Sequence, residues 1–182
     1  MRILAAIGAL AVIVGIGAAA FFFGGFYNVA GTMEDPAIVH WALVQVRTAS
    51  INRHATDAPP PSFNDPANVQ AGAREFAEHG CANCHGAPGV NWAKFSEGLK
   101  PDPPDLKDVV GDLTPSQLFW VIKNGINMTG MPSFKLAGAT DEDIWRIVAF
   151  LKKLPSVSEA DYKAWTAPAS APPAPTPPAP KQ

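Results

Sequence analysis

Both cysteines of the chain lie in one pentapeptide, Cys-Ala-Asn-Cys-His at residues 81–85. Two thiols at this spacing, followed directly by a histidine, are the attachment signature of a covalent haem. Each thiol would add to one vinyl group of the porphyrin, and the adjacent imidazole would then coordinate iron. Zinc would need two further ligands, and a redox dithiol would need a strand–helix–strand context that is missing. The motif therefore predicts one covalent haem c on Cys81 and Cys84, with His85 as an iron ligand.

The second iron ligand is expected among the four methionines, two of which lie far upstream, before residue 34. Of the other two, Met131 is favoured because Pro132 biases its backbone toward an extended conformation. Gly130 would also let this loop approach the haem closely. Met128 and the absence of any methionine ligand are the alternatives, and we expect Met128 to be packed. Ligation by His85 and Met131 raises the reduction potential and leaves no open position on iron.

His85 also needs an acceptor for its other ring nitrogen, which fixes the tautomer of the imidazole. The stretch Pro103-Pro104-Asp105-Leu106 is predicted to supply a backbone carbonyl, and Pro104 is therefore assigned to the cofactor site. A plain rigid turn is the alternative interpretation. The sequence contains no acid–base constellation for turning over a substrate. We therefore assign no catalytic residue and expect an electron carrier, not an enzyme.

Three helices are predicted to position these ligands in a domain at residues 65–165. The first begins at Asp65-Pro66 and runs to about residue 79. The second begins at Thr114-Pro115 and stops at Gly125, a C-cap glycine. The third begins at Thr140 and is ended by Pro155. Because a structureless loop as long as residues 86–113 is unusual in a compact domain, we expect this loop to wrap around the haem.

The amino-terminal segment, residues 1–27, is predicted to be a transmembrane anchor. Residues 3–26 carry no charged side chain, and a helix of that length spans about 36 Å, enough for a bilayer of about 30 Å. A cleaved signal peptide is the competing interpretation, although its apolar region would be shorter. Arg2 precedes the segment and Glu34 and Asp35 follow it, which places the rest of the chain outside the cytoplasm.

Three further segments complete the predicted organisation. Residues 28–54 form a membrane-proximal segment with a helix at 38–52, which could lie on the membrane surface, dock on a partner or act as a spacer. Residues 55–64 form a Pro-rich linker, expected to be an extended polyproline II spacer. Residues 166–182 form a Pro/Ala-rich tail, expected to be disordered. The net charge of −2 gives no reason to expect a nucleic-acid partner.

Beyond these separate signals, residues 65–154 resemble the class I c-type cytochromes. The resemblance rests on the haem motif, on Pro103–Leu106, on Asn124-Gly125 followed by Gly130–Phe134, and on the pattern from Ile144 to Leu151. It implies an all-α cytochrome c fold around one covalent haem, preceded here by the transmembrane helix. It also implies that the first and last helices of the domain cross.

The resemblance further implies contacts and roles for individual residues. Gly72 and Phe76 would meet Trp145 at the helix crossing, and the haem would be carried by Cys81 and Cys84. Iron would be bound by His85 and Met131, and the exposed haem edge would be the port for electrons.

Three functions are weighed on this basis. The first is a tethered electron shuttle between a quinol-oxidising complex and a terminal acceptor, in a respiratory or photosynthetic chain. The second is a fixed haem subunit of a larger complex, such as a dehydrogenase or an oxidase. The third, from a different class, is a haem enzyme or sensor with an open iron site. In each case the expected location is the bacterial inner membrane, single-pass, with the haem domain in the periplasm.

Overall fold

The structure is a computed structural model that describes residues 2–26 and 28–168. Their secondary structure is helical, with no strand among them beyond one isolated bridge between Ala87 and Val90. The helices are α1 (Arg2–Phe23), α2 (Ala37–His54), α3 (Pro66–Glu78), α4 (Ala82–His85), α5 (Leu106–Val109), α6 (Pro115–Asn124), α7 (Asp141–Lys153) and α8 (Glu159–Thr166), with 3-10 turns at Lys94–Gly98 and Leu154–Ser156. The predicted all-α class is confirmed.

Helix α1 is long and apolar enough to cross a membrane by its length and composition, with a mean hydropathy of 2.5. It ends before two glycines, and Gly25 adopts a left-handed φ of 73° that breaks the helical path. A signal sequence near the amino terminus can meet the same criteria of length and apolar composition. Most of the predicted tail, from residue 169 on, lies outside the described residues.

The core of the globular domain is built where α3 crosses α7. Gly72 on α3 lies so close to α7 that a Cβ atom there would be 1.9 Å from the carbonyl oxygen of Arg146. The ring of Phe76 packs on Phe150, with centroids 5.4 Å apart. Trp145 instead stacks on Phe119 of α6 at 4.1 Å. Gly72 and Phe76 thus meet Arg146 and Phe150 of α7, and their expected contact with Trp145 stays a prediction.

Capping groups explain why α6 and α7 begin where the sequence predicts. Thr114 and Thr140 each accept a hydrogen bond from the backbone N–H of the third helical residue, and the side chain of that residue accepts one in return. Such a reciprocal box satisfies two amide groups that the helix itself cannot pair. Helix α6 ends at Gly125, with φ +70°, as expected of a C-cap glycine. Helix α8, which the sequence analysis missed, closes the domain through buried Tyr162.

The last turn of α2 packs against α6. Ile51 is buried, with 7% of its surface exposed. The amide of Gln117 donates a hydrogen bond to the side-chain oxygen of Asn52 at 2.6 Å. The ring of His54 stacks on Trp120 with centroids 6.0 Å apart. This part of α2 is therefore integral to the globular domain.

The Pro-rich segment at residues 55–64 also lies against the domain. The ring of Phe63 meets Trp145 edge-on with centroids 5.9 Å apart. The side-chain amide of Asn68 donates to the carbonyl of Ser62 at 2.7 Å. The sequence predicted a free polyproline spacer here, whereas the structure packs this segment on the domain. The packing gives Phe63 an apolar contact that an extended linker would not make.

Replacing Gly72 with alanine is expected to destabilise the domain by about 3 kcal/mol or more, since the added methyl group would force α3 away from α7. The measurement is chemical denaturation of the holoprotein. Gly111→Ala is the matched control, because a Cβ atom at Gly111 meets nothing within 4 Å. Equal midpoints for the two variants would contradict a close crossing at Gly72.

Candidate functional site

The two thiols and the histidine are positioned by one turn of helix, α4. Gly80, with φ +73°, reverses the chain after α3, and the amide of Cys81 donates to the carbonyl of Phe76 at 3.1 Å. The amide of His85 donates to the carbonyl of Cys81 at 3.0 Å. Because residues three and four apart lie on the same side of a helix, Cys81, Cys84 and His85 face one region.

The environment of Cys81 does not suit a redox dithiol. Cys81 is half-buried against the apolar core, and burial, as the largest cause, raises the pKa of its thiol to about 12. Disulfide exchange needs a thiolate at neutral pH, which a lowered pKa provides. A thiol whose pKa is raised by burial does not suit disulfide exchange.

The ring of His85 is oriented by the loop that precedes α5. Its Nδ1 lies 2.9 Å from the carbonyl oxygen of Pro104. Since a carbonyl can only accept, Nδ1 carries the proton and donates, and the lone pair of Nε2 is left for a metal. Burial lowers the pKa of His85 and outweighs the opposing influence of the Pro104 carbonyl and of Asp105. A lowered pKa favours the neutral imidazole that metal ligation requires.

Hydrogen bonds at both ends of α5 hold in place the short helix that follows the Pro104 carbonyl. The carboxylate of Asp105 caps α5 by accepting from the amide of Lys107 at 2.9 Å. At the other end of α5, Lys152 of α7 donates to the carbonyls of Val110 and Leu113 at 2.8 and 3.1 Å. The sequence analysis did not identify this anchoring role of Lys152.

The two candidate methionines are placed differently. Met131 is half-buried and packs against the core, and its carbonyl accepts from the amide of Ile126 at 3.1 Å. Met128 is 76% exposed and has a left-handed φ of 60°. The expectation that Met128 is packed is wrong, because the turn places it at the tip of the loop.

The loop that carries Met131 is held in place by two glycines. A Cβ atom at Gly125 would lie 2.7 Å from the carbonyl oxygen of Met131. A Cβ atom at Gly130 would lie 2.9 Å from the side chain of Leu99, which follows the 3-10 turn at 94–98. Gly130 therefore brings the Met131 loop against residue 99 of the long irregular segment. Leu99 is a contact that the sequence analysis did not identify.

The donor set fits a covalent haem. It combines two thiols on one helical turn, an imidazole with a free Nε2 lone pair, and one half-buried thioether. The long segment between α4 and α5 adds large apolar side chains that are largely exposed in the described structure, namely Val90, Trp92 and Phe95. A porphyrin needs apolar surface of this kind around it, and such side chains in one segment suit a binding surface.

Comparison with known proteins agrees with the class that the fold and the donor set define. Residues 67–151 match a family model described as cytochrome c oxidase, cbb3-type, subunit III. Residues 67–151, which run from the second residue of α3 to two residues before the end of α7, are therefore a class I c-type cytochrome domain. A domain of this class carries haem c and transfers electrons. No curated protein and no solved structure matches the chain.

Substituting alanine for Gly125 is expected to displace the Met131 loop. The change places a side chain in a backbone region essentially restricted to glycine, φ 70° with ψ −173°, at about 1–3 kcal/mol, and adds the contact with the Met131 carbonyl. We expect carbon monoxide to bind the reduced variant more readily, in a photometric titration. Gly138→Ala is the control, because its φ of 99° is also positive but its Cβ atom would meet nothing within 4 Å. Identical carbon monoxide binding by both variants would show that Gly125 does not hold the loop.

Proposed function

We propose that this protein is a membrane-anchored, single-haem electron carrier. It works at the outer face of a bacterial inner membrane, in a respiratory or photosynthetic chain, as a tethered shuttle between a quinol-oxidising complex and a terminal acceptor. The observation that carries the proposal is the 2.9 Å contact between Nδ1 of His85 and the Pro104 carbonyl, which leaves Nε2 free for iron. The apolar helix α1 supports the anchoring.

The proposed roles of the residues follow from their chemistry. Cys81 and Cys84 would each add across one vinyl group, with sulfur bonding to one carbon and the thiol hydrogen passing to the other. His85 would bind iron on one side and Met131 on the other. The bound haem would supply a reversible one-electron iron couple, and a thioether ligand raises its potential. With His85 and Met131 both bound to iron, no position would be left for a substrate.

A fixed haem subunit of a larger oxidoreductase complex is the second candidate, and two observations favour it. The last turn of α2 is packed on the domain through Ile51 and His54, so residues 55–64 do not provide a long swinging tether. The matched family is also described as an oxidase subunit. Any swing of the domain would have to come from the chain before Trp41.

A haem enzyme or sensor with an open site is the third candidate and the least supported. It would require Met131 to leave the iron, although its loop is bound by hydrogen bonds from Ile126 and to Thr129. Carbon monoxide added to the reduced protein separates this candidate from the other two. Binding at low concentration by the unmodified protein would favour the open-site function.

The deciding experiment is extraction of the native membrane in mild detergent, followed by purification of the haem protein and addition of quinol and an oxidising complex. A lone cytochrome that is rapidly reduced and reoxidised supports the shuttle. Stoichiometric co-purification with one complex supports the fixed subunit and identifies the partner. Protease treatment of spheroplasts tests orientation, since a periplasmic haem domain should be cleaved without lysis.

A further inference from the structure

Helix α2 presents an apolar face that the globular domain does not cover. Contacts with the domain are made by the last turn of the helix, through Ile51, Asn52 and His54. On another side of the helix, Leu43 is 41% exposed and Val46 is 67% exposed. Exposed alanines at positions 42 and 49 extend this surface, and the spacing 42, 46, 49 is that of one helical stripe. The helix is thus apolar on two sides, of which only one is buried.

The charge of the same helix indicates what covers the second side. Residues 36–56 contain no acidic residue, whereas Arg47 and Arg53 are both exposed. Arg47 lies at the edge of the stripe, next to Leu43, and Arg53 lies one turn beyond its end at residue 49. Basic residues beside an apolar stripe are the pattern of a helix that lies in a membrane interface, with its guanidinium groups at the level of the phosphates. If this side of the helix faced water or an acid-rich partner, the apolar stripe would have no role. If it were buried in protein, both arginines would need acidic partners there.

Continuity along the chain supports the same occupant. Helix α2 follows the candidate span α1 after residues 24–36 only. A segment so near an anchor meets the lipid surface at high effective concentration. Juxtamembrane basic residues are attracted to anionic lipids.

We propose that α2 is an interfacial helix that binds an anionic lipid surface through the stripe of residues 42, 43, 46 and 49, which we call the lipid face. Its other side, through Ile51 and His54, carries the cytochrome domain. Helix α2 therefore fixes the orientation of the domain relative to the membrane. It also restricts the distance between the membrane surface and the haem that partners meet. This inference rests on the anchoring stated in the proposed function, and it adds a second, separable contact with lipid.

The test uses the full-length holoprotein with a single introduced thiol. Because the two native cysteines would be consumed as haem thioethers, Val46→Cys and Thr48→Cys each carry one free thiol for a nitroxide label. Val46 lies on the lipid face, and Thr48, also exposed, lies two positions and about 200° away on the helix. The labelled proteins are reconstituted into vesicles of phosphatidylcholine alone and of phosphatidylcholine with phosphatidylglycerol, with the haem reduced.

The measurement is the ratio of collisions with oxygen, which concentrates in lipid, to collisions with a water-soluble nickel complex. We expect a ratio several-fold higher at position 46 than at position 48 in the anionic vesicles. We also expect a smaller difference in neutral vesicles. Arg47→Gln with Arg53→Gln should remove the dependence on anionic lipid while leaving the haem spectrum unchanged.

The outcomes separate this inference from the anchoring. A protein that floats with the vesicles while position 46 reports water in both lipids would overturn the lipid face and leave the anchor intact, and a protein partner would then be its cover. A protein that stays in the aqueous fraction would contradict both. Equal ratios at positions 46 and 48 in floating protein would also overturn the inference, since the helix would have no preferred side.

Discussion

Replacing Cys81 and Cys84 together with alanine should leave the protein without covalently bound haem. The chain has no other cysteine, so no substitute sulfur can form a thioether. Haem staining of the denatured polypeptide on a gel is expected to fall to background, whereas the unmodified protein keeps its stain after denaturation. We also expect the apoprotein to be less compact, because Cys81 packs against the apolar core and the core is completed by the cofactor.

The control for this prediction lies between the two thiols. Asn83→Ala changes the same helical turn but leaves both sulfurs and His85 in place. It should retain full haem staining, although its amide nitrogen lies near Gly80. Staining of the double alanine variant at the level of Asn83→Ala would mean that the haem is held in some other way.

Substituting leucine for Met131 should open one side of the iron. Leucine preserves the volume of the side chain and its packing against the core, but it has no sulfur to donate. The haem should stay covalently attached, while the reduced protein gains affinity for carbon monoxide by roughly ten-fold or more, equivalent to about 1.4 kcal/mol per factor of ten. The reduction potential should fall, because thioether ligation favours the reduced iron. Carbon monoxide titration and redox potentiometry measure the two effects.

The matched control is Met128→Leu, three residues away in the same loop. Met128 is largely exposed and makes no contact with the core cluster among the described residues, so its replacement should change neither quantity. If Met128→Leu opened the iron and Met131→Leu did not, the ligand assignment would be reversed. If neither variant changed carbon monoxide binding, the sixth position would not be a methionine.

The packing of α2 changes how the domain can move. With a free polyproline spacer at residues 55–64, the domain would swing on an arm anchored at the membrane. In the structure Phe63 contacts Trp145 and Ser62 accepts from Asn68, so the spacer and the end of α2 are part of the domain surface. If the protein is a shuttle, we expect it to rely on diffusion of its anchor, because residues 55–64 give it no swinging arm. If it is a fixed subunit, we expect the same packing to hold the domain in a defined orientation.

Most of the local elements could be predicted from sequence because their signals are local. The boxes at Thr114 and Thr140 and the stop at Gly125 each depend on residues within one turn of one another. The haem motif is equally local, since five consecutive residues bring two thiols and an imidazole together on α4. Helix α8 was missed because its signals, Ser158 as cap and acids in its first turn, lie next to a Pro/Ala-rich segment that dominates the composition there.

The sequence by itself determined the class of cofactor, the all-α class and the apolar segment of an anchor, because composition and short spacing carry that information. Only the tertiary structure decided which groups meet across long separations in the chain. It placed Lys152 on the end of α5, Gly72 on Arg146 and α2 on α6. The physical reason is that such contacts depend on how helices cross and on which side chains fill the space between them, and no local pattern records either.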